Sequence, residues 1–193
     1  MSSRSEIRSR LRQQRRALSR AARVSSAKQV ARRLAASPLF RAARRIAIYL
    51  PHDGEIDLTP LLRHAWACGK TCYLPVLRSK RLGFALYRRG DGLRLNRFGI
   101  LEPALPVCQQ VGALALDLIL VPLVAFDAQG HRLGMGAGFY DRTLAARARR
   151  THWRRPRLIG VAYEFQQVAK LGPAPWDVPL DGVVTPAQWH GHL

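Results

Sequence analysis

The chain is short of acid. It carries 12 acidic residues against 32 basic ones, a formal net charge of +20 over 193 residues. Lysine is scarce too, present only at 28, 70, 80 and 170, so nearly all the positive charge is arginine. A field of that sign favours polyanions: nucleic acid, anionic lipid or nucleotide phosphate. Cysteine occurs only at 68, 72 and 108. That is too few, and too badly spaced, for a disulfide framework or a four-ligand zinc site. Three ordinary thiols suit a reducing compartment. No apolar run approaches the roughly 18 residues of a membrane span. The first residues, MSSRSEIRSRLRQQRR, lack the apolar core of a secretory signal. They share Arg and Ser enrichment with mitochondrial transit peptides, but a cytoplasmic location is the expectation.

Apolar residues make up 48% of the chain, enough for a sizeable core, and the length suits one domain. Ile7, Leu11 and Leu18 fall at helical spacing in a basic segment, which predicts an amphipathic N-terminal helix over about 4–22. Ser25 or Ser26 is a candidate cap for a second helix carrying Val30 and Leu34. IAIYLP (46–51) reads as a buried strand. Thr59 and Pro60 mark a helix start, and Gly69 its stop. TCYLPV (71–76) and GFALYR (83–88) read as further strands, possible partners in an antiparallel unit. Residues 89–112 read as irregular. LDLILVP (116–122) is the most apolar run and the expected central parallel strand. A helix from about 140 to 150 and strands at 157–163 and 182–185 follow. Strands alternating with helices predict a three-layer α/β/α domain with a mostly parallel, Rossmann-like sheet.

After the apolar run comes GHRLGMGAGFYDR (130–142), with four glycines, two arginines and an aspartate. In open α/β sheets ligands bind beyond the carboxyl ends of the strands, where this stretch lies. Gly130, Gly134, Gly136 and Gly138 let backbone amides approach an anion with no Cβ in the way. A following helix N-terminus favours phosphate, and Arg132 and Arg142 offer forked donors. GMGAGF does not fit G-x-G-x-x-G, and no G-x-x-x-x-G-K-[ST] is present, so neither the dinucleotide fingerprint nor a P-loop applies. A purely structural glycine turn is the competing reading.

VPLVAFDAQGHRLGMGAGFYDRTLA (121–145) resembles the signature of the 5-formyltetrahydrofolate cyclo-ligases, also called 5,10-methenyltetrahydrofolate synthetases. IAIYLPHDGEIDLTPLL (46–62), FGILEP (98–103), GVAYEFQQV (160–168) and WDVPLDGVVTP (176–186) resemble that family's other blocks, in order. The resemblance implies ATP-dependent conversion of 5-formyltetrahydrofolate to 5,10-methenyltetrahydrofolate, with ADP, phosphate and magnesium, in one-carbon metabolism. It implies ATP on Arg132, Leu133, Gly134, Met135, Gly136, Ala137, Gly138, Phe139 and Tyr140, helped by Arg8 and Arg12 from the N-terminal helix. Arg8 stands where the family has lysine, and a guanidinium fork does not copy an ammonium point charge. Met135 and Ala137 stand where some relatives carry basic residues, which shifts the burden to backbone amides and Arg132.

On the same grounds Asp141 and Asp181 are the expected magnesium contacts, and Arg132 and Asp141 the catalytic pair. Glu55 is the expected pterin reader, with Tyr49, Leu50, Phe98, Phe139 and Tyr140 as substrate walls. No protein nucleophile is required. A monomer without a membrane or specific nucleic-acid partner is expected. Two other readings compete. One is a charge-driven nucleic-acid module, against which stands the absence of an aromatic RNA-binding motif, zinc finger or basic zipper. The other is a sugar-phosphate isomerase of related architecture, against which the 121–145 signature stands.

Overall fold

The computed structural model describes residues 3–104, 109–149 and 155–191. Its first element, α1 (Arg4–Ala17), begins with a reciprocal cap: Ser3 accepts from the Glu6 amide while the Glu6 carboxylate accepts from the Ser3 amide. The single helix expected over 4–22 is in fact two. The backbone is extended at Leu18, and Ser19 caps α2 (Arg20–Ala35) by accepting from the Ala22 amide at 3.2 Å. Ser25 and Ser26, the expected caps, lie inside α2. The capping hydroxyl lies nearly two turns earlier than the apolar spacing implied.

A short α3 (Pro38–Ala42) leads into β1 (Arg45–Ala47). The expected strand over 46–51 pairs for only its first residues, and then the chain peels away from its neighbours. Next come α4 (Thr59–Ala67), β2 (Thr71–Arg78) and β3 (Arg81–Leu86). Leu58, not Thr59, occupies the cap position of α4, and no side chain caps it. Gly69 does follow the helix, at φ +67°, where a side chain would be strained. The stretch expected to be irregular contains a hairpin, β4 (Leu93–Leu95) and β5 (Leu101–Pro103), and a short β6 (Gln110–Val111). Asn96 closes the hairpin, its side-chain oxygen accepting from the Phe98 and Ile100 amides.

The remaining elements are β7 (Leu118–Pro122), β8 (Ala125–Phe126), β9 (Arg132–Leu133), α5 (Phe139–Ala148), β10 (Arg157–Val161), β11 (Gly182–Val184) and β12 (Trp189–His190). The main sheet runs β12-β11-β10-β7-β1-β2-β3-β6. Its β11, β10, β7, β1 and β2 are parallel, while β3, β6 and β12 are antiparallel additions. The expected mostly parallel three-layer arrangement is thus present. Side chains alternate across the pleat. Ile46, Leu118, Leu120 and Ile159 pack under α2, α3 and α4 through Val30, Phe40 and Leu61. Ala47, Ile119, Val121 and Leu158 pack under Leu144 of α5. Complete burial of such side chains contributes about 1.5–3 kcal/mol each.

After β1 the chain goes to β2 on one side; β7 then joins on the other. The order reverses between β1 and β7, and a crevice opens there at the carboxyl ends, the usual ligand position in such sheets. Cys68 and Cys72 are free thiols, one exposed and one buried. Cys108 lies outside the described residues. No helix among them is long and apolar enough to cross a membrane.

Candidate active site

The crevice is a cavity of about 680 Å³. Tyr49 and Leu50 enter it from the end of β1, Pro122 and Leu123 from the end of β7. The stretch 134–141 forms one wall. Phe98 and Leu101 of the β4–β5 hairpin close another side, and Trp176 and Asp177 a third.

A turn fixes the glycine wall. Asp127 accepts from the Gln129 and His131 amides through one carboxylate oxygen and from the Leu171 amide through the other. Burial works against its charge, but those amides and His131 outweigh it and hold its pKa below the ordinary value. Gly130, at φ +81°, completes the turn where an added Cβ would stand 2.9 Å from the Leu180 carbonyl oxygen. The tight β8–β9 hairpin that results sends Arg132 toward the cavity and Leu133 the other way.

Arg132 is almost fully buried. Its terminal nitrogens donate to Asp141 and to the Val178 carbonyl. Desolvation lowers its pKa, opposed chiefly by Asp141. Gly136 (φ +106°) and Gly138 (φ +65°) carry the chain into α5, whose open N-terminus faces the cavity side of the turn. Arg142 does not serve the cradle: it donates to the Lys80 and Ala137 carbonyls, both at 2.6 Å.

Helix α1 lies across these loops. Ile7 and Leu11 pack on Leu133, Val124 and Leu171. Arg4 pairs with Asp177 at 3.0 Å and Arg8 donates to the Gly134 carbonyl at 2.9 Å. Arg12, Arg15 and Arg16 all converge on Asp53. Burial opposes the Asp53 charge, but hydrogen bonds from the three guanidiniums prevail and bring its pKa to about 2. Two residues on, Glu55 accepts from the His52 amide at 3.1 Å. Burial pushes its pKa up to about 7, against the pull of Arg15. Tyr49 and Tyr140 are raised as well, first by burial and then by the nearby Glu55 charge.

The structure brings most of the expected site residues together. Arg8, Arg132 and 134–141 line the cavity, and so do Tyr49, Leu50, Glu55, Phe98, Phe139 and Tyr140. Phe98 and Phe139 meet edge to face, with centroids 5.8 Å apart. Three expected residues lie elsewhere. Leu133 is buried beneath the turn, against α1. Arg12 is engaged by Asp53 outside the cavity lining. Asp181 is the clearest correction: it sits at the amino ends of β10 and β11, the opposite edge of the sheet. There its carboxylate takes the Arg147 guanidinium at 2.6 Å and the Leu158 amide at 2.7 Å. Both of its oxygens are thus taken at that edge, away from Asp141 at the other end of α5.

Sequence reasoning missed Arg4, His52, Asn96, Trp176 and Asp177, all in the cavity lining. The i, i+4 spacing of Arg4 with Arg8 was the available signal for the first. Among the described residues no group of three His, Cys, Asp or Glu is placed to hold a metal. Asp141 accepts from Arg132 and the Val178 amide through one oxygen, leaving the other without a protein partner among those residues. One carboxylate beside an anion cradle suits magnesium that arrives largely on phosphate oxygens.

Fold and cavity define an α/β protein with a glycine-rich turn lining a cavity at the switch point of its sheet. The model of the 5-formyltetrahydrofolate cyclo-ligase family matches residues 1–186. The 5-formyltetrahydrofolate cyclo-ligase of Escherichia coli K12 is 40% identical over 183 residues, 92% of this chain and 97% of that protein. The Haemophilus influenzae cyclo-ligase is 43% identical over 72% of this chain and 74% of its own. The solved Aquifex aeolicus 5,10-methenyltetrahydrofolate synthetase superposes with a TM-score of 0.83 at 33% identity, covering 97% of this chain and 92% of that one. The chain belongs to the 5-formyltetrahydrofolate cyclo-ligase family, a family of ligases.

Proposed function

We propose that this protein converts 5-formyltetrahydrofolate and ATP to 5,10-methenyltetrahydrofolate, ADP and phosphate. The observation that carries the reading is one cavity bounded by an anion turn on one side and by a buried carboxylate with aromatic walls on the other. The formyl oxygen of the substrate is a poor leaving group. Transfer of the γ-phosphoryl group to it forms a C–O–P linkage and releases ADP. Attack by N10 then forms the second C–N bond, breaks the bond from carbon to the phosphorylated oxygen, and releases phosphate with loss of the N10 proton.

The protein's share in this scheme is alignment and charge stabilisation. Gly134, Gly136 and Gly138 with the α5 N-terminus receive the phosphates, and Arg8 covers them from α1. Arg132 orients Asp141 at the place where magnesium would neutralise phosphate charge. Glu55 accepts hydrogen bonds from the pterin N–H groups, and Tyr49, Leu50 and Phe98 wall the ring system. The α1 helix thereby belongs to the ATP site.

Purified protein mixed with 5-formyltetrahydrofolate and Mg-ATP is expected to give the methenyl product, followed by its absorbance. No ATP-dependent product from folded protein would sink the reading. The +20 charge also permits non-specific nucleic-acid binding, which should vanish with added salt.

A further inference from the structure

Arg15 is the most deeply buried arginine among the described residues, with 1% of its surface exposed. In sequence it looks like one more member of a solvated basic run. In the structure it points inward from α1 and holds three things. Its Nε donates to the Asp53 carbonyl at 2.7 Å and one terminal nitrogen donates to the Asp53 carboxylate at 2.9 Å. The other terminal nitrogen reaches the Leu123 carbonyl at 3.3 Å, just past β7, and lies 4.0 Å from the Glu55 carboxylate.

Asp53 keeps Arg12 and Arg16 if Arg15 is removed. Glu55 has no other ion-pair partner among the described residues. The groups facing it are otherwise neutral or like-charged: the His52 amide, Asp53, and the phenols of Tyr49, Tyr140 and Tyr163 from three further segments. We propose that Arg15 is a positioning residue for substrate recognition, which pins the 53–55 loop to the end of β7 and sets a positive charge against the Glu55 carboxylate. It acts through Glu55 and lies outside the cavity lining. The inference rests on the pterin-reading role given to Glu55.

The sign follows from the charges. An opposite charge within about 4–6 Å favours the ionised carboxyl by roughly 1–3 pKa units. Burial already raises Glu55 to about 7. Without Arg15 it should titrate higher still, so the neutral acid would predominate at neutral pH, where the wild-type carboxyl is about half ionised.

The test has two readouts. The first is the Glu55 carboxyl carbon resonance, identified by its loss in Glu55→Gln and titrated in the wild type, Arg15→Lys and Arg15→Gln. We expect the midpoint to rise by about one unit or more in Arg15→Gln and to stay near wild type in Arg15→Lys. The second is kcat/KM for 5-formyltetrahydrofolate against pH. Its acidic limb should move to higher pH in Arg15→Gln by the same amount, with KM rather than kcat carrying the loss and activity returning above the new midpoint. Arg16→Ala serves as a control for Asp53 and should leave the limb in place. An unmoved carboxyl midpoint overturns the proposal. Should Arg15→Gln fail to fold, Arg15→Lys in the Glu55→Gln background decides: an effect of Arg15→Lys on folate KM that persists without the carboxylate overturns the proposal. A wild type without turnover defeats the cyclo-ligase reading alone, since the resonance titration still judges the charge coupling.

Discussion

Helix α5 carries an arginine–aspartate pair at each end, with the arginine buried and the aspartate partly so. In the first turn Asp141 takes Arg132 from β9; in the last turn Arg147 takes Asp181 from just before β11. Both pairs obey the helix dipole, with an acid at the N-terminus and a base at the C-terminus. Their surroundings differ. The first pair stands at the carboxyl edge of the sheet, and Asp141 lines the cavity. The second stands at the amino edge, where both oxygens of Asp181 are used by Arg147 and the Leu158 amide. The same two residue types thus line a cavity at one edge and tie α5 to the sheet at the other. Which role each has is decided by strand direction.

Neutralising each acid should separate the two roles. Asp141→Asn is expected to lower turnover about 10²-fold or more, the scale of losing a transition-state electrostatic contact, with a modest change in melting temperature. Asp181→Asn is expected to keep near-normal turnover below its melting point while losing about 3 kcal/mol, the scale of orphaning one partner of a buried pair. For this chain length that is a fall of roughly 6–12 °C. Calorimetry with initial rates checks both. Asp181→Asn protein that is folded but inactive would erase the contrast between the edges.

Two smaller effects sharpen it at the carboxyl edge alone. Glu55→Gln should raise folate KM about tenfold with little change for ATP, the scale of a lost hydrogen bond to a charged group. In the wild type kcat/KM for folate should fall as pH drops through about 7, where Glu55 takes up a proton, and Glu55→Gln should flatten that limb. An unchanged pH profile would remove Glu55 from the site. Asp53 works the opposite way. Its folded pKa of about 2 lies below the ordinary value of 3.8, so its contribution to stability is full above that value and fades as pH falls toward 2. Acid titration followed by melting should show this loss, and Asp53→Asn should abolish it.

Much of the fold was legible because apolar runs such as 116–122 and 157–163 are long enough to mark buried parallel strands. The glycine wall was legible because its spacing is specific. What escaped depends on partners distant in sequence. Arg15 looks like its neighbours Arg12 and Arg16, and only the position of the 50–57 loop turns it inward. Trp176, 73% exposed, lacks any local pattern that separates a cavity wall from a surface residue. Asp181 lay in a block that resembled the family's, yet its edge of the sheet could be known only from strand order. The β4–β5 hairpin was missed because its strands are three residues each and one side chain, Asn96, closes the turn.

The arginines of α1 also bear on when the site comes into being during synthesis. The helix leaves the ribosome before its anchors, which follow at very different times. Asp53 lies 41 residues after Arg12, Gly134 comes 126 after Arg8, and Asp177 173 after Arg4. The closures therefore fall in order along the helix from its C-terminal end to its N-terminal end, each larger loop carrying more entropy to lose. A nascent chain that has not yet made residue 177 can form most of the parallel sheet but cannot form the Arg4–Asp177 pair at the start of α1. On the proposed reading, nucleotide binding waits for residue 177, and the last of these three loops to close is the longest.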